Sequence, residues 1–397
     1  MGKTFVASEK AFQLNEKVNL VICQKSKIED WINHLRKYYV CHALDLTCNT
    51  GMVAFLEYIK LKAPAPVFGV INYELFWRRE ELFTIDDFTL ICDESGLLTN
   101  ESTKRTKGVM RLNYKNIILL SGSICGGKYE LLWSQMHLLG WKISKSMYWD
   151  QYVRSHYEDV SGFPLKIVDG YKNVDRLKRK MREHGCLFLK TEEVMDLPEQ
   201  VFQKVHVPVT TAYKKFMRDR IITVGDKELV GDTTLTKLLY ARMLCGVYSV
   251  DKLNAFKDLI ESTDDRVIVF YNFTSELDAM QEILMDEDYE YSKRFSVVNG
   301  SDKHLQNYEE CSDSITFVQY QSGSMGLNLQ KACRIIYFTP PLSSELYLQS
   351  QKRIHRIGQK STCFYYNLIC RGSVEERIYE VLRQRKDYTE ALFEFDQ

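Results

Sequence analysis

The sequence predicts an α/β fold of two lobes, each built on a parallel sheet, with helical protrusions between them. Three observations predict it. The apolar runs are short and continuous rather than alternating, as in strands buried on both faces of a parallel sheet. Polar, helix-compatible stretches separate them, which implies βαβ units. The runs also fall into two groups, before about residue 125 and after about residue 265.

Four runs make the first group: Val18–Cys23 (VNLVIC), Val67–Asn72 (VFGVIN), Thr89–Cys92 ahead of Asp93, and Ile117–Leu120 ahead of Ser121. The second group is Val267–Tyr271, Ile315–Gln319, Ile335–Phe338 and Phe364–Ile369. Residues 130–260 carry many helix-compatible stretches and few strand runs. The expected division is a first lobe over 1–243, with a helical protrusion at about 141–190, and a second lobe over 244–397.

The length, 397 residues, suits two to three domains. With 24 Tyr, 20 Phe and 5 Trp the chain has ample core material, so disorder over its whole length is excluded. Lys+Arg and Asp+Glu both count 53, which excludes a polycation. A nucleic-acid partner remains open, because local patches bind phosphate and net charge is only a sum. Residues 166–190 hold eight basic residues (Lys166, Lys172, Arg176, Lys178, Arg179, Lys180, Arg182 and Lys190) against three acidic ones. That run is either a solvated helix face or a phosphate-contacting protrusion. Residues 261–313 reverse the sign, with fourteen acidic and four basic. No apolar run approaches the ~18 residues of a membrane span. Glu9, Lys10, Glu16 and Lys17 interrupt any signal-peptide core. The 11 cysteines are scattered without a Cys-x-x-Cys, and read as reduced core residues of a cytosol-like compartment.

Three segments point to chemistry. Gly2-Lys3-Thr4 matches the end of a phosphate loop, where Lys reaches phosphates and Thr holds Mg²⁺. Alone, such a tripeptide is a common chance match. Phe88–Glu94 (FTLICDE) places two carboxylates at the carboxyl end of a strand, where α/β sheets bind ligands. Asp93 would hold Mg²⁺ and Glu94 would orient or deprotonate water. The bland alternative is a helix N-cap pair. In Gln349–Gln359 (QSQKRIHRIGQ), Gln349, Arg353 and Arg356 lie at i, i+4 and i+7, one helix face. Two guanidiniums there can stabilise charge on a transferred phosphoryl group. The alternative is a basic surface helix. Lys352 and His355 lie off that face and are expected in solvent.

The run Arg353-Ile354-His355-Arg356-Ile357-Gly358-Gln359 resembles the last motif of the Swi/Snf-like branch of superfamily-two helicases. The resemblance covers almost the entire chain, in order. Gly2-Lys3-Thr4 is similar to the tail of motif I, and Val18–Trp31 to motif Ia. Asn72-Tyr73-Glu74 resembles the next DNA-facing motif. Asp93-Glu94-Ser95-Gly96 stands at the Asp-Glu-Ala-His box, followed by Asn100 and Lys104. Ser121-Gly122-Ser123 resembles motif III, with Glu130, Leu131 and Trp133 after it. Asp196-Leu197-Pro198 resembles the segment between lobes, Val267–Thr274 motif IV, and Asn299-Gly300-Ser301 the backbone-contacting turn after it. Ser322–Leu329 resembles motif V, and Gly372–Glu376 the closing Gly-Thr-Val-Glu-Glu.

The resemblance implies two RecA-like lobes with ATP and Mg²⁺ in the cleft between them, and translocation along double-stranded DNA driven by hydrolysis. Lobe 1 would supply Gly2, Lys3, Thr4, Asp93 and Glu94, with Thr4 and Asp93 on the metal. Lobe 2 would supply Gly326, Gln349, Arg353 and Arg356. Sequence-independent contacts to the DNA backbone would come from Lys25, Ser26, Asn72, Tyr73, Asn272, Gly300 and Ser301.

Several positions depart from the family pattern. The first glycines of motif I and the adenine-recognition segment are missing, so Gly2 reads as the stump of a loop and Met1 as an internal methionine. Gly96 replaces the His of the box, Ile124 the Pro of motif III, and Lys352 the Gly before the first arginine. Thr339-Pro340-Pro341-Leu342 stands where many chromatin-associated members carry an acidic Trp-Asn-Pro turn. With no histone-reading segment, this points to a compact phage- or bacterium-type member. It would be cytoplasmic, or nuclear in a eukaryote. Besides a DNA-dependent ATPase, the readings open here are a helicase-like DNA-binding remnant without hydrolysis, and an RNA-acting helicase.

Overall fold

The computed structural model describes residues 2–122, 124–160, 163–188, 196–224, 227–285, 294–323 and 327–393. It divides into two compact units. The first runs to Leu189 and takes in the end of the chain from Tyr388; the second spans Lys190–Asp387.

The first unit is built on a five-stranded parallel sheet. Its strands are β1 (Val18–Cys23), β2 (His42–Asp45), β3 (Val67–Asn72), β4 (Asp86–Cys92) and β5 (Asn113–Leu119), in the order β2-β3-β1-β4-β5. The continuous apolar runs have the predicted cause. Leu20 and Ile22 of β1 enter one core, while Val21 and Cys23 enter the other. Helices α1 (Lys3–Leu14) and α2 (Ile28–Tyr38) cover the second face through Ala7, Ala11, Trp31 and Leu35. Helices α3 (Asn49–Lys60) and α4 (Lys104–Arg111) cover the first through Met52, Phe55 and Val109.

Beyond β5 lie α5 (Leu132–Leu138), α6 (Lys145–Tyr152), an antiparallel pair β6 (Val153–Val160) and β7 (Phe163–Tyr171), and α7 (Val174–Glu183). The protrusion expected to be helical is therefore half hairpin. Its strand residues from Arg154 to Asp159 are mostly exposed, so they carry no apolar run. Tyr129, Tyr148, Tyr152, Leu177 and Met181 give this region its own core.

The second unit opens with β8 (Gln200–Pro208), α8 (Thr211–Asp219), the hairpin β9 (Ile221–Val224) and β10 (Lys227–Val230), and α9 (Thr234–Cys245). It continues with α10 (Val250–Glu261), β11 (Val267–Tyr271), α11 (Thr274–Leu284), β12 (Phe295–Val298), β13 (Lys303–His304), α12 (Gln306–Glu310), β14 (Ile315–Gln319) and α13 (Tyr320–Gly323). The last elements are β15 (Arg334–Tyr337), α14 (Ser344–Gln351), β16 (Cys363–Arg371) and α15 (Val374–Phe393). Its sheet has seven strands in the order β13-β12-β14-β11-β15-β16-β8, parallel except at β12–β13.

The packing boundary lies earlier than the expected 243/244. β8 pairs with β16 along its full length, from Gln200↔Cys363 to Pro208↔Arg371. Val207, Tyr213, Phe216, Leu244 and Cys245 share one core with Cys370. Residues 196–245 therefore close the second sheet rather than the first.

Among the described residues no helix is long and apolar enough to cross a membrane. All 11 cysteines are free. Six are buried as expected, but Cys48 is exposed. There its sulfur accepts the Gly51 N–H (3.4 Å) at the start of α3.

Candidate nucleotide site and nucleic-acid face

In the first unit the predicted catalytic residues converge. Gly2 has φ 86°, a left-handed conformation suited to glycine, and starts α1 with no side chain capping it. The first-turn N–H groups have no partner within the helix, which makes this end receptive to an anion. The Lys3 ammonium reaches across to Glu94, with Nζ 2.7 Å from Oε1. Gly122, in the motif III turn, lies beside it; a Cβ there would sit 3.7 Å from Nζ. Thr4 is half-buried, one residue along α1. Ser123 lies outside the described residues.

Asp93 follows the last residue of β4 and its N–H donates to the Ile22 carbonyl (2.9 Å), so the sheet itself fixes its place. Three further bonds fix its orientation. Trp31 Nε1 donates to Oδ2 (3.0 Å), the Glu94 N–H donates to Oδ1 (3.0 Å), and the Tyr73 hydroxyl donates to the Asp93 carbonyl (2.8 Å). Burial raises the Asp93 pKa, while the Trp31 bond opposes that by stabilising the carboxylate. Glu94 itself has φ 52°. Ser95 is buried, donating to Gln135 Oε1 (3.0 Å), whose Nε2 donates to the Ile124 carbonyl (2.7 Å). Gln135 thus ties the acidic box to the segment after motif III.

The hydroxyl of Thr4 and the carboxylate of Asp93 are hard oxygen donors of the kind Mg²⁺ takes. Each Asp93 carboxylate oxygen accepts one protein N–H and so retains a lone pair. The donor set therefore fits the ion. A second group with ligand-capable atoms is buried in the other unit: Cys245, Cys370 and Glu375. There the Lys252 ammonium sits 2.6 and 2.7 Å from the two Glu375 oxygens and supplies the counter-charge itself.

In the second unit the helical reading of the arginine motif is corrected. Helix α14 stops at Gln351, and Arg353 and Arg356 lie in the turns after it. Ile354 between them is fully buried in the core. The Arg353 carbonyl accepts the Leu329 N–H (3.2 Å), and Arg356 Nη1 donates to the Leu327 carbonyl (3.3 Å). Gln359 Nε2 reaches three carbonyls, those of Gln330, Ala332 and Ile354. The motif is therefore folded against the end of motif V and the residues just after it rather than along one helix face. Gln349 remains on α14, with its amide on Glu345 (3.2 Å). Lys352 is exposed as expected, but His355 is half-buried with Nε2 2.9 Å from the Pro198 carbonyl. Gly326 lies outside the described residues.

The expected DNA contacts divide. Lys25 and Ser26 are exposed in the turn after β1. Gly300 is in open space and Ser301 is exposed, on a turn held by Asn299 Oδ1. Tyr73 does not face solvent; it is 1% exposed and holds Asp93. Asn72 is also buried and gives its amide to Glu74 (2.9 Å). Asn272 donates through Nδ2 to the Thr339 hydroxyl (2.8 Å) and the Pro340 carbonyl (3.1 Å). Those three are framework residues.

Sequence reasoning assigned Trp31 no role and did not single out Gln135. Trp31 lies 62 residues from its Asp93 partner, and no local spacing signals that contact.

Parallel sheets with a glycine-led helix and an acidic pair at a strand end define an α/β class of protein that gathers ligands at the carboxyl ends of its strands. The SNF2-related domain matches residues 4–246, more than half of the chain, and the helicase conserved C-terminal domain matches residues 251–358. The chain belongs to the SNF2-related family, the Swi/Snf-like branch of superfamily two. The two family domains meet near the expected 243/244, whereas the packing boundary falls at 189/190.

Relatives include "DNA repair and recombination protein RAD54-like" of Gallus gallus, 23% identical over 94% of this chain and 58% of that protein. Another is "SWI/SNF-related matrix-associated actin-dependent regulator of chromatin subfamily A member 1" of Mus musculus, 24% identical over 91% of this chain and 37% of that protein. The chain thus spans between about a third and three-fifths of these relatives' lengths. The solved "Sulfolobus solfataricus SWI2/SNF2 ATPase core in complex with dsDNA" is 18% identical with TM-score 0.42, over 98% of this chain and 86% of that one.

Proposed function

We propose that this protein is a DNA-stimulated ATPase that moves along double-stranded DNA without reading its sequence. The observation that carries the reading is the Lys3–Glu94 pair (2.7 Å) beside Asp93, at the uncapped start of α1. An ammonium, an acidic pair and free helix N–H groups together suit a nucleoside triphosphate.

In this reading the phosphates of ATP take the place of Glu94 as partner of Lys3. Glu94 is then released to orient the attacking water. Thr4 and Asp93 would hold Mg²⁺, which would neutralise charge on the phosphates. Trp31 and Tyr73 keep Asp93 from turning. Arg353, Arg356 and Gln349 are the second unit's candidates for contacts to the nucleotide. Lys25, Ser26, Gly300 and Ser301 are exposed and suit backbone contacts to DNA.

The test is phosphate release from ATP with and without duplex DNA. DNA should stimulate the rate. Asp93→Asn should abolish the stimulated rate, and Arg356→Ala should reduce it by about 10³-fold or more. Equal rates with and without DNA, unchanged in both variants, would sink the reading.

A further inference from the structure

With Asn72 and Tyr73 turned inward, the proposed DNA contact on that side of the first unit's sheet falls to other residues. A cavity of about 280 Å³ opens beside Asn72, with Tyr73 in its wall together with Glu74, Trp77, Arg78, Lys104 and Arg105. Its two walls are the turn Phe76–Arg78 and the start of α4. They are locked together at Gly108, where a Cβ would come within 2.8 Å of the Phe76 ring and 3.0 Å of Trp77 Cβ.

Two cations converge on one indole. Arg78 Cζ is 4.8 Å and Lys104 Nζ 4.9 Å from the Trp77 ring centroid. Arg105 lines the same space. Among the described residues none of the three cations forms an ion pair, whereas lysines elsewhere in the unit do so, as at Lys27–Asp30 and Lys115–Glu16. Glu74 is the one carboxylate lining the cavity, and the Asn72 amide already engages it. The cavity therefore keeps an excess of positive charge. That excess is in the side chains, because Thr103 Oγ1 already caps α4 by accepting the Thr106 N–H (3.3 Å).

We propose that this cavity takes a backbone phosphate of duplex DNA, with Arg78, Lys104 and Arg105 as its donors. Trp77 holds two of these cations in place before the phosphate arrives, which lowers the ordering cost of binding. The site rests on the DNA-binding reading above and moves the contact from Asn72-Tyr73 to their exposed neighbours.

The experiment measures binding of a labelled duplex by fluorescence anisotropy between roughly 50 and 200 mM salt. The triple variant Arg78→Ala/Lys104→Ala/Arg105→Ala should bind about tenfold or more weakly. Its plot of log affinity against log salt should be shallower by about 0.9 for each phosphate that the variant no longer neutralises. Glu74→Gln should tighten binding. Lys37→Ala, on α2 over the opposite sheet face, removes a charge elsewhere and should leave the slope unchanged. The charge-keeping Arg78→Lys/Arg105→Lys variant should retain the wild-type slope, which separates charge from folding. A triple variant that folds, by its thermal melt, and keeps the wild-type slope overturns the site while leaving the ATPase reading intact. The site is also overturned if inorganic phosphate or a nucleoside monophosphate saturates the cavity without weakening duplex binding. A wild-type protein that binds no duplex overturns both.

Discussion

Two aromatic side chains hold Asp93. Trp31 fixes the carboxylate from within the sheet face covered by α2, and Tyr73 fixes the backbone carbonyl. Tyr73→Phe removes one buried hydrogen bond and should cost about 1 kcal/mol in urea unfolding. It should leave duplex affinity unchanged, because the hydroxyl it removes already donates to the Asp93 carbonyl and the ring is 1% exposed. A loss of affinity in a fully folded Tyr73→Phe protein would restore the residue to the DNA face. A second residue-scale prediction concerns Lys252 and Glu375, both fully buried. Burial works against the Lys252 charge, but the Glu375 carboxylate overrides it and holds the ammonium above its ordinary value. Lys252→Met strands a buried carboxylate and should cost about 3–5 kcal/mol. Adding Glu375→Leu should recover most of that. Chemical unfolding of the single and double variants checks both halves, and no recovery in the double variant would contradict the pairing.

At the scale of elements, what the sequence shows is what burial imprints on it. The strands β1, β3, β11 and β14, buried at all or all but one of their positions, were visible as continuous apolar runs. The edge strand β8 was not, because Gln200, Gln203, Lys204 and His206 break up its apolar residues and most of it is exposed or half-exposed. The hairpin β6–β7 was hidden for the same reason. In the site, the acidic pair was legible because a strand end forces it to the sheet's ligand-binding edge. The turn at Arg353–Arg356 was not, since its i, i+3 spacing is equally helical and the contacts that hold it, to Leu327 and Leu329, are distant in sequence. The role of β8 gives a prediction. A fragment of residues 196–393 should fold cooperatively, as followed by circular dichroism during heating. A fragment of 244–393 loses β8, α8 and most of α9, leaving Cys370 and the exposed flank of β16 uncovered. It should melt at a clearly lower temperature or aggregate. Equal melting of the two fragments would return the boundary to 243/244.

At the scale of the molecule, each unit closes its own cores. Leu90 belongs to a core of the first unit and Ile268 to a core of the second, and both are fully buried. Truncating either to Ala leaves a cavity and should cost about 2–5 kcal/mol. Domains with separate cores commonly unfold in separate steps, so a single two-state transition is not expected here. Calorimetric scans of the nucleotide-free protein should resolve two transitions. Leu90→Ala should lower one of them and Ile268→Ala the other, each leaving its counterpart within about a degree. The proposed ATPase adds a further condition. A ligand that binds folded protein raises the stability of whatever it contacts. ATP with Mg²⁺ should therefore raise the transition that Leu90→Ala lowers, since Lys3, Thr4 and Asp93 all lie in that unit. If the second transition rises as well, and Arg353→Ala with Arg356→Ala removes only that second rise, the two units hold one nucleotide. A rise confined to the first transition would limit the nucleotide to the first unit and contradict a role for the arginines.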